Sequence, residues 1–306
     1  MRFRFVLLVG LCVLAVAIAM TLVFVGRTPS VEELREEAGL NRKDSLKIGV
    51  KDDQPGLAER RDGSFAGFDI DIAYMVAEDL GFGRGEVKFY SIESEDRERM
   101  QAKSADGTEI VDLVVASFSI TREREDTPGV RFSAPYLMTE QSVLTRDGEF
   151  QEVATLAALR GRRVCTLATA TSEGPLYDAG VVVQAELTIS KCVDALKART
   201  VDAISTDATI LAGIKARNPG LTHWDIGLKD VEAYGINVGQ NDALLQLVNL
   251  SLWHSREDSD DSRWEEAFER HLKTVAVLTP DVPIAQPNQP EVEKPAVREW
   301  FSGGPG

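Results

Sequence analysis

Val111 to Pro135 reads VDLVVASFSITREREDTPGVRFSAP. It opens on an apolar run, Val111 to Ala116, interrupted only by Asp112. Small polar residues follow at Ser117, Ser119 and Thr121, then the charged cluster Arg122, Glu123, Arg124 and Glu125. An apolar run of this length, bounded by small polar residues, predicts a buried strand. Thr121 ahead of alternating charges predicts an N-cap and a first helical turn. The hydroxyls and Arg124 therefore fall where a strand ends and a helix begins. In α/β sheets that is where ligands collect, because free backbone N–H groups point outward and attract anions.

Upstream of this stretch the pattern alternates strands with helices. Ser45 to Val50 predicts a strand, the polar turn Lys51-Asp52-Asp53-Gln54-Pro55-Gly56 follows, and Arg61-Asp62-Gly63-Ser64 predicts a hairpin turn. Gly67-Phe68-Asp69-Ile70-Asp71 leads into a helix with Ile72, Met75, Val76 and Leu80 on its apolar positions. Val87 to Tyr90 is a further strand, and Ser94 to Lys103, carrying Arg97 and Arg99, is compatible with a helix. Such alternation argues for an α/β lobe with a largely parallel sheet. Lys51 sits just after a strand end, where a cation favours an anionic partner. Arg97 is a second candidate for that partner.

Downstream, Tyr136 to Arg146 is a run of strand formers, and Val164-Cys165 begins another strand ahead of Thr166-Leu167-Ala168-Thr169-Ala170-Thr171-Ser172. Ser190 to Arg199 is an amphipathic helix. Thr200 to Asp207 is a strand ending in an aspartate that also suits an N-cap for a helix over Ile210 to Ala216. Tyr234-Gly235-Ile236-Asn237-Val238 is a returning strand, Leu244 to Trp253 a helix, and Trp264, Phe268 and Leu272 recur at helical spacing.

S-x-S-I-T-x-x-R with its tail Phe132-Ser133-Ala134-Pro135-Tyr136, the string Gly67 to Asp71, the V-D-A-x-x-x-D of Val201 to Asp207 and the Tyr234 string together resemble the amino-acid-binding proteins of ABC importers, solute-binding protein family 3. The resemblance covers about Leu46 to Leu272, and Lys51 followed by Asp53-Gln54-Pro55-Gly56 points to the actinobacterial glutamate-binding branch. It implies an α/β, two-lobe periplasmic-binding-protein fold (type II) whose lobes are joined by two crossover strands. Lobe 1 would be 45–137 and 240–275, and lobe 2 would be 138–239. It implies a binding protein and not an enzyme, serving an ABC permease, with no cofactor and no metal. Of the residues, it implies Arg124, Ser117 and Ser119 for the ligand α-carboxylate, Thr171 beside them and Asp207 for the α-ammonium. Lys51 and Arg97 would then face a side-chain carboxylate, glutamate or aspartate. Thr169 stands where the family has glycine, and Ala170 where it has a hydroxyl. A glycine would permit positive φ, which threonine resists.

Phe5 to Gly26 carries no charge, with Arg2 and Arg4 before it and Arg27 after. A run of that length spans a bilayer as a helix, and leading positive charges favour export of the remainder. Residues 1–27 are thus a transmembrane anchor or a signal segment, cleavage after Ala17-Ile18-Ala19 being the alternative. The protein would sit at the extracytoplasmic face of the membrane. Cys12 lies in the apolar run, so export and the family resemblance together leave Cys165 and Cys192 to form a disulfide. Residues 28–44 read as a linker, briefly helical. Beyond Thr279, six prolines among polar residues predict a disordered tail within 276–306.

The chain has 306 residues and a formal net charge of −15. That balance argues against nucleic-acid phosphates and anionic lipid as partners. Three cysteines and three histidines, well separated, leave little material for a zinc site. Transport binding is the leading expectation, and a membrane-anchored amino-acid sensor is the alternative.

Overall fold

The computed structural model describes residues 28–227 and 231–299. The expected anchor or signal falls on 1–27, outside the described residues. Among the described residues no helix is long and apolar enough to cross a membrane.

The described chain opens with helix α1 (Val31–Glu37), started by a capping box between Ser30 and Glu33. This segment is not a free spacer. Leu34, Ala38 and Leu40 are buried in the main core, so three apolar residues sufficed to dock what the polar composition concealed. Strand β1 (Leu46–Val50) follows, then the small antiparallel sheet β2 (Asp53–Gln54), β3 (Ala58–Arg61) and β4 (Ser64–Ala66). Helix α2 (Phe68–Asp79) begins at Gly67, whose φ is +136° and whose added Cβ would lie 2.2 Å from the Leu57 carbonyl oxygen. Strand β5 (Val87–Ser91) lies parallel to β1. Where a helix was expected over Ser94 to Lys103, there is one 3-10 turn, Ser94–Asp96, and then the hairpin β6 (Gln101–Ser104) and β7 (Gly107–Ile110). Met100 at φ +54° breaks the helical path, and Gly107 at positive φ follows the hairpin turn. Strand β8 (Leu113–Val114) completes the parallel sheet β5-β1-β8, and the short helix α3 (Arg122–Glu125) is capped by Thr121.

Strand β9 (Leu137–Thr139) leaves this first lobe. The second lobe is a five-stranded sheet in the order β12-β11-β13-β10-β14. Its elements in chain order are β10 (Gln141–Arg146), β11 (Arg163–Leu167), α4 (Glu173–Asp178), β12 (Val182–Glu186), α5 (Ile189–Lys197), β13 (Ala203–Asp207), α6 (Ala208–Arg217) and β14 (Leu221–Trp224). The disulfide Cys165–Cys192 ties β11 to α5. Its loop length corresponds to about 3–4 kcal/mol on the chain-entropy model. Strand β15 (Glu232–Tyr234) returns, antiparallel to β9, and these two strands are the crossovers between the lobes. Helix α7 (Asp242–Glu257), α8 (Arg263–Ala267), a π-helical turn over Phe268–Lys273 and α9 (Thr274–Ala276) follow. Trp264 is fully buried, stacks on Phe268 and donates Nε1–H to the Tyr136 carbonyl at 2.8 Å. That bond fastens the last helices to the start of the first crossover.

The tail departs from its expectation. Val282, Ile284, Val292 and Val297 are buried, Ile284 accepts from the Thr139 hydroxyl, and Gln286 donates to the Met138 carbonyl. The strap thus lies along the β9 crossover, and at its far end Arg298 N–H donates to the Pro29 carbonyl. Prolines deny a segment its helix and ladder bonds. They also lower the entropy lost when an extended segment docks, so four apolar side chains hold one that composition alone assigns to disorder.

Candidate functional site

The site grows out of the end of β8. After Ala116 the chain must turn, and Ser117 does so at φ +45°. This sparsely populated conformation is held from behind. Ser117 N–H donates to Asp69 Oδ2 at 3.0 Å, and its Oγ lies 2.7 Å from Gln54 Oε1. Asp69 is fully buried and also accepts from the Tyr136 hydroxyl at 3.1 Å. Burial pushes its carboxyl up to about 6, against the pull of these hydrogen bonds. The aspartate of the Gly67 string thus shapes the site from beneath. Ser117 directs both of its donors into the lobe interior.

Three cations gather on this wall. Lys51, at the end of β1, is 2% exposed, and its Nζ has one hydrogen-bond partner among the described residues, Ser94 Oγ at 3.3 Å. Burial, then the charge of Arg97, brings its pKa down to about 8. Arg97 donates Nε–H to the Ser94 carbonyl and Nη1–H to the Ala116 and Ser117 carbonyls. Its pKa is lowered to about 9, by burial first and by Arg124 second. Arg124 donates Nη1–H to the Ser119 carbonyl at 2.7 Å and Nη2–H to the Thr169 carbonyl of lobe 2 at 2.6 Å. Both guanidinium groups stand over the Phe118 ring, at 4.5 Å and 4.8 Å from its centroid. Phe118 thus offers its π face to two arginines, which only the spacing of aromatic and charge could have signalled.

The opposing wall comes from lobe 2. Asp207 ends β13 and is buried, its Oδ2 accepting from the Tyr234 hydroxyl. Burial first, and then the negative charge of Glu232, hold its carboxyl up at about 7. Thr169 takes φ +60°, the conformation that the family glycine would supply. The lobes meet closely around these residues. Asp53 accepts from the Ser190 N–H and lies 3.1 Å from its hydroxyl, and Arg217 pairs with Glu59. At Gly213 in α6 an added Cβ would lie 1.7 Å from the Pro55 carbonyl oxygen.

Residues 46–271 match the model of the bacterial extracellular solute-binding proteins, family 3. The chain belongs to that family. This solute-binding protein is 35% identical over 184 residues to the glutamate-binding protein GluB of Corynebacterium glutamicum, a match covering 58% of this chain and 60% of GluB. It is 30% identical over 244 residues to the ABC transporter glutamine-binding protein GlnH of Bacillus subtilis, covering 77% and 84% of the two chains. An ancestral arginine-binding protein bound to glutamine shares its fold with a TM-score of 0.65 and 28% identity, over 75% of this chain and 98% of that one. The L-cysteine receptor of Neisseria gonorrhoeae, 24% identical, shares the two-lobe fold alone, at a TM-score of 0.69 over 86% of this chain and all of that one.

In this solute-binding protein, Ser119, Arg124, Thr171 and Asp207 thus meet groups of the other lobe or of the crossover strand, while Lys51, Arg97 and Ser117 cluster behind them within lobe 1. They differ in what they offer. Ser117 and two of the three Arg97 nitrogens are committed to the protein itself. Lys51 and Asp207 are buried charges without a direct ion pair among the described residues. Glu232, which sequence reasoning passed over, completes the site. Its Oε2 accepts from the Ser119 hydroxyl at 2.6 Å and the Thr171 hydroxyl at 2.7 Å. It shares a face of β15 with Tyr234, two residues on, but three residues are too few for the alternation to show in the sequence.

Proposed function

We propose that this protein captures an acidic amino acid, glutamate before aspartate, outside the cytoplasm and delivers it to an ABC permease. Lys51 carries the reading. An ammonium has three N–H donors, and here it is almost wholly buried with one neutral hydroxyl as partner. Burying such a charge is unfavourable unless an anion meets it. A ligand side-chain carboxylate supplies that anion, with Arg97 adding a second positive charge behind it. Arg124 holds the α-carboxylate, and Asp207 holds the α-ammonium. The similarity to GluB supports the same ligand class. We further propose that residues 1–27 tether the protein at the membrane, since Phe5 to Gly26 is uncharged behind Arg2 and Arg4.

Titration calorimetry of the protein against glutamate, aspartate, glutamine, arginine and cysteine tests this. Glutamate should bind more tightly than glutamine, which would leave Lys51 unpaired. Lys51→Met should weaken glutamate by on the order of 1–3 kcal/mol and leave glutamine nearly unchanged. Tighter binding of glutamine or arginine by the wild type would refute the assignment. A soluble version should retain 28–299, because ending it at 45–274 would strip Leu34, Leu40, Ile284 and Val292 from the core.

A further inference from the structure

Ser119 comes from lobe 1 and Thr171 from lobe 2, and both lie where the α-carboxylate of the proposed ligand is to be held. A hydroxyl has one proton to donate. In both residues that proton is directed to a single oxygen, Glu232 Oε2, at 2.6 Å and 2.7 Å. Glu232 belongs to neither wall. It sits on the crossover strand β15, in register with Thr139 of β9, with Tyr234 two residues on. The hydrogen bond of Tyr234 to Asp207 places the same strand beside the ammonium-binding carboxylate as well. The Glu232 carboxylate therefore links lobe 1 to lobe 2 through one atom. It has the charge, the planar shape and the hydroxyl partners expected of a ligand α-carboxylate.

We propose that Glu232 is an intramolecular competitor for the α-carboxylate seat, bridging the two lobes itself, so that an amino acid must displace it to bind. This rests on the functional reading above. Two carboxylates cannot both take the same two protons. If Glu232 stays, Ser119 and Thr171 present only lone pairs to an incoming carboxylate, which repel it. If Glu232 rotates out, the hydroxyls and Arg124 are released to the ligand, and the lobe-to-lobe link passes from protein to ligand. Glu232 thus sets apparent affinity without touching the bound amino acid. It also biases the lobes toward each other before binding.

The test compares the full-length wild type with Glu232→Ala and Glu232→Gln. Calorimetry reads L-glutamate affinity, and energy transfer between dyes placed on the two lobes reads their separation without added amino acid. Glu232→Ala should bind glutamate more tightly, by on the order of ten-fold, and its lobes should lie farther apart in the absence of ligand. Glu232→Gln, which keeps the size and loses the charge, should fall between, and it guards against a folding defect in the alanine variant. Weaker glutamate binding by the variants would make Glu232 a ligand contact and overturn the competitor while leaving the function intact. Unchanged affinity and lobe separation would overturn it too. Loss of every amino acid by wild type and variants alike would overturn the functional reading and the competitor together.

Discussion

The two walls of the cleft are built on opposite plans. The back of the lobe 1 wall is braced from within its own lobe, while at its front Arg124 and Ser119 reach out to Thr169 and Glu232. Arg97 is held by three backbone carbonyls, and Ser117 by Asp69 and Gln54. The lobe 2 wall depends on groups outside its lobe. Asp207 accepts a hydrogen bond from the crossover residue Tyr234, Thr171 donates to Glu232, and the Thr169 carbonyl meets Arg124. A wall braced internally presents the same surface whether or not the lobes are together, whereas a wall braced by the other lobe is complete only when they meet. On the proposed reading, intrinsic affinity is then set mainly by lobe 1, and the response to closure by lobe 2.

The largest effect should come from removing the side chain that joins the plans. Arg124 reaches from the lobe 1 backbone to the lobe 2 carbonyl of Thr169. Arg124→Ala should lose about 2–5 kcal/mol of binding free energy for every amino acid tested, by calorimetry. A variant that lost glutamate but kept glutamine would show that Arg124 meets the side chain and not the α-carboxylate.

Next in size is Gly213→Ala. Glycine inside helix α6 is unfavourable by about 0.5–1 kcal/mol relative to alanine. Its presence is explained by the Pro55 carbonyl, against which a Cβ would lie at 1.7 Å. Backbone on both sides cannot yield as a flexible side chain would. The alanine variant should hold the lobes apart and weaken binding by about ten- to a hundred-fold, while its thermal midpoint holds or rises. Unchanged binding together with a lower midpoint would mean that the contact shapes folding and not closure.

A smaller effect should appear on titration. The Asp207 carboxyl is held up at about 7 and the Lys51 ammonium down at about 8. The proposed ligand favours the charged form of both. Binding should therefore release a proton from Asp207 below about pH 7 and take one up on Lys51 above about pH 8. Affinity rises with pH up to the first value, falls beyond the second, and changes at most about ten-fold per unit on either flank. Calorimetry in buffers of different ionisation enthalpy reads the sign of the proton exchange on each side. Proton uptake on the acid flank would remove Asp207 from the α-ammonium.

The difference between the walls also decides what could be read in the sequence. Charges at strand ends are legible because a strand end is a local event. Lys51 follows a strand, Asp207 ends one, Arg124 lies in the first turn of the helix after one, and all three are buried. Arg97 was legible as a charge but not as a position. The 3-10 turn that Arg97 ends, and the hairpin after it, replace a helix, the chain leaving the helical path at Met100, φ +54°. Glu232 belongs to a strand too short for periodicity to register, and its role depends on two hydroxyls more than sixty residues away. The strap over 276–298 was hidden by composition. Its four buried side chains are spread among prolines, so no window shows a stripe, yet each finds a place on a core that the rest of the chain has built.

Thr169 and Ser117 bring the comparison down to single residues. Both take positive φ, at +60° and +45°, and so both carry backbone strain. For a β-branched residue the strain is of order 1–2 kcal/mol. Ser117 is compensated, because its hydroxyl and N–H are bound to Gln54 and Asp69. The Thr169 side chain is exposed and makes no hydrogen bond among the described residues; only its carbonyl is engaged, by Arg124. Glycine at 169 keeps that carbonyl and removes the strain, although a looser unfolded chain takes back part of the gain. Thr169→Gly should therefore stabilise the protein by up to about 1 kcal/mol, with Thr169→Ala between the two because alanine relieves only the β-branching. Ser117→Gly should go the other way, since it removes a buried hydroxyl and leaves Gln54 Oε1 without its donor. Chemical denaturation of the four proteins decides it. If both glycine variants are destabilised, the walls are not braced differently, and the strain at Thr169 has a compensating contact through its side chain.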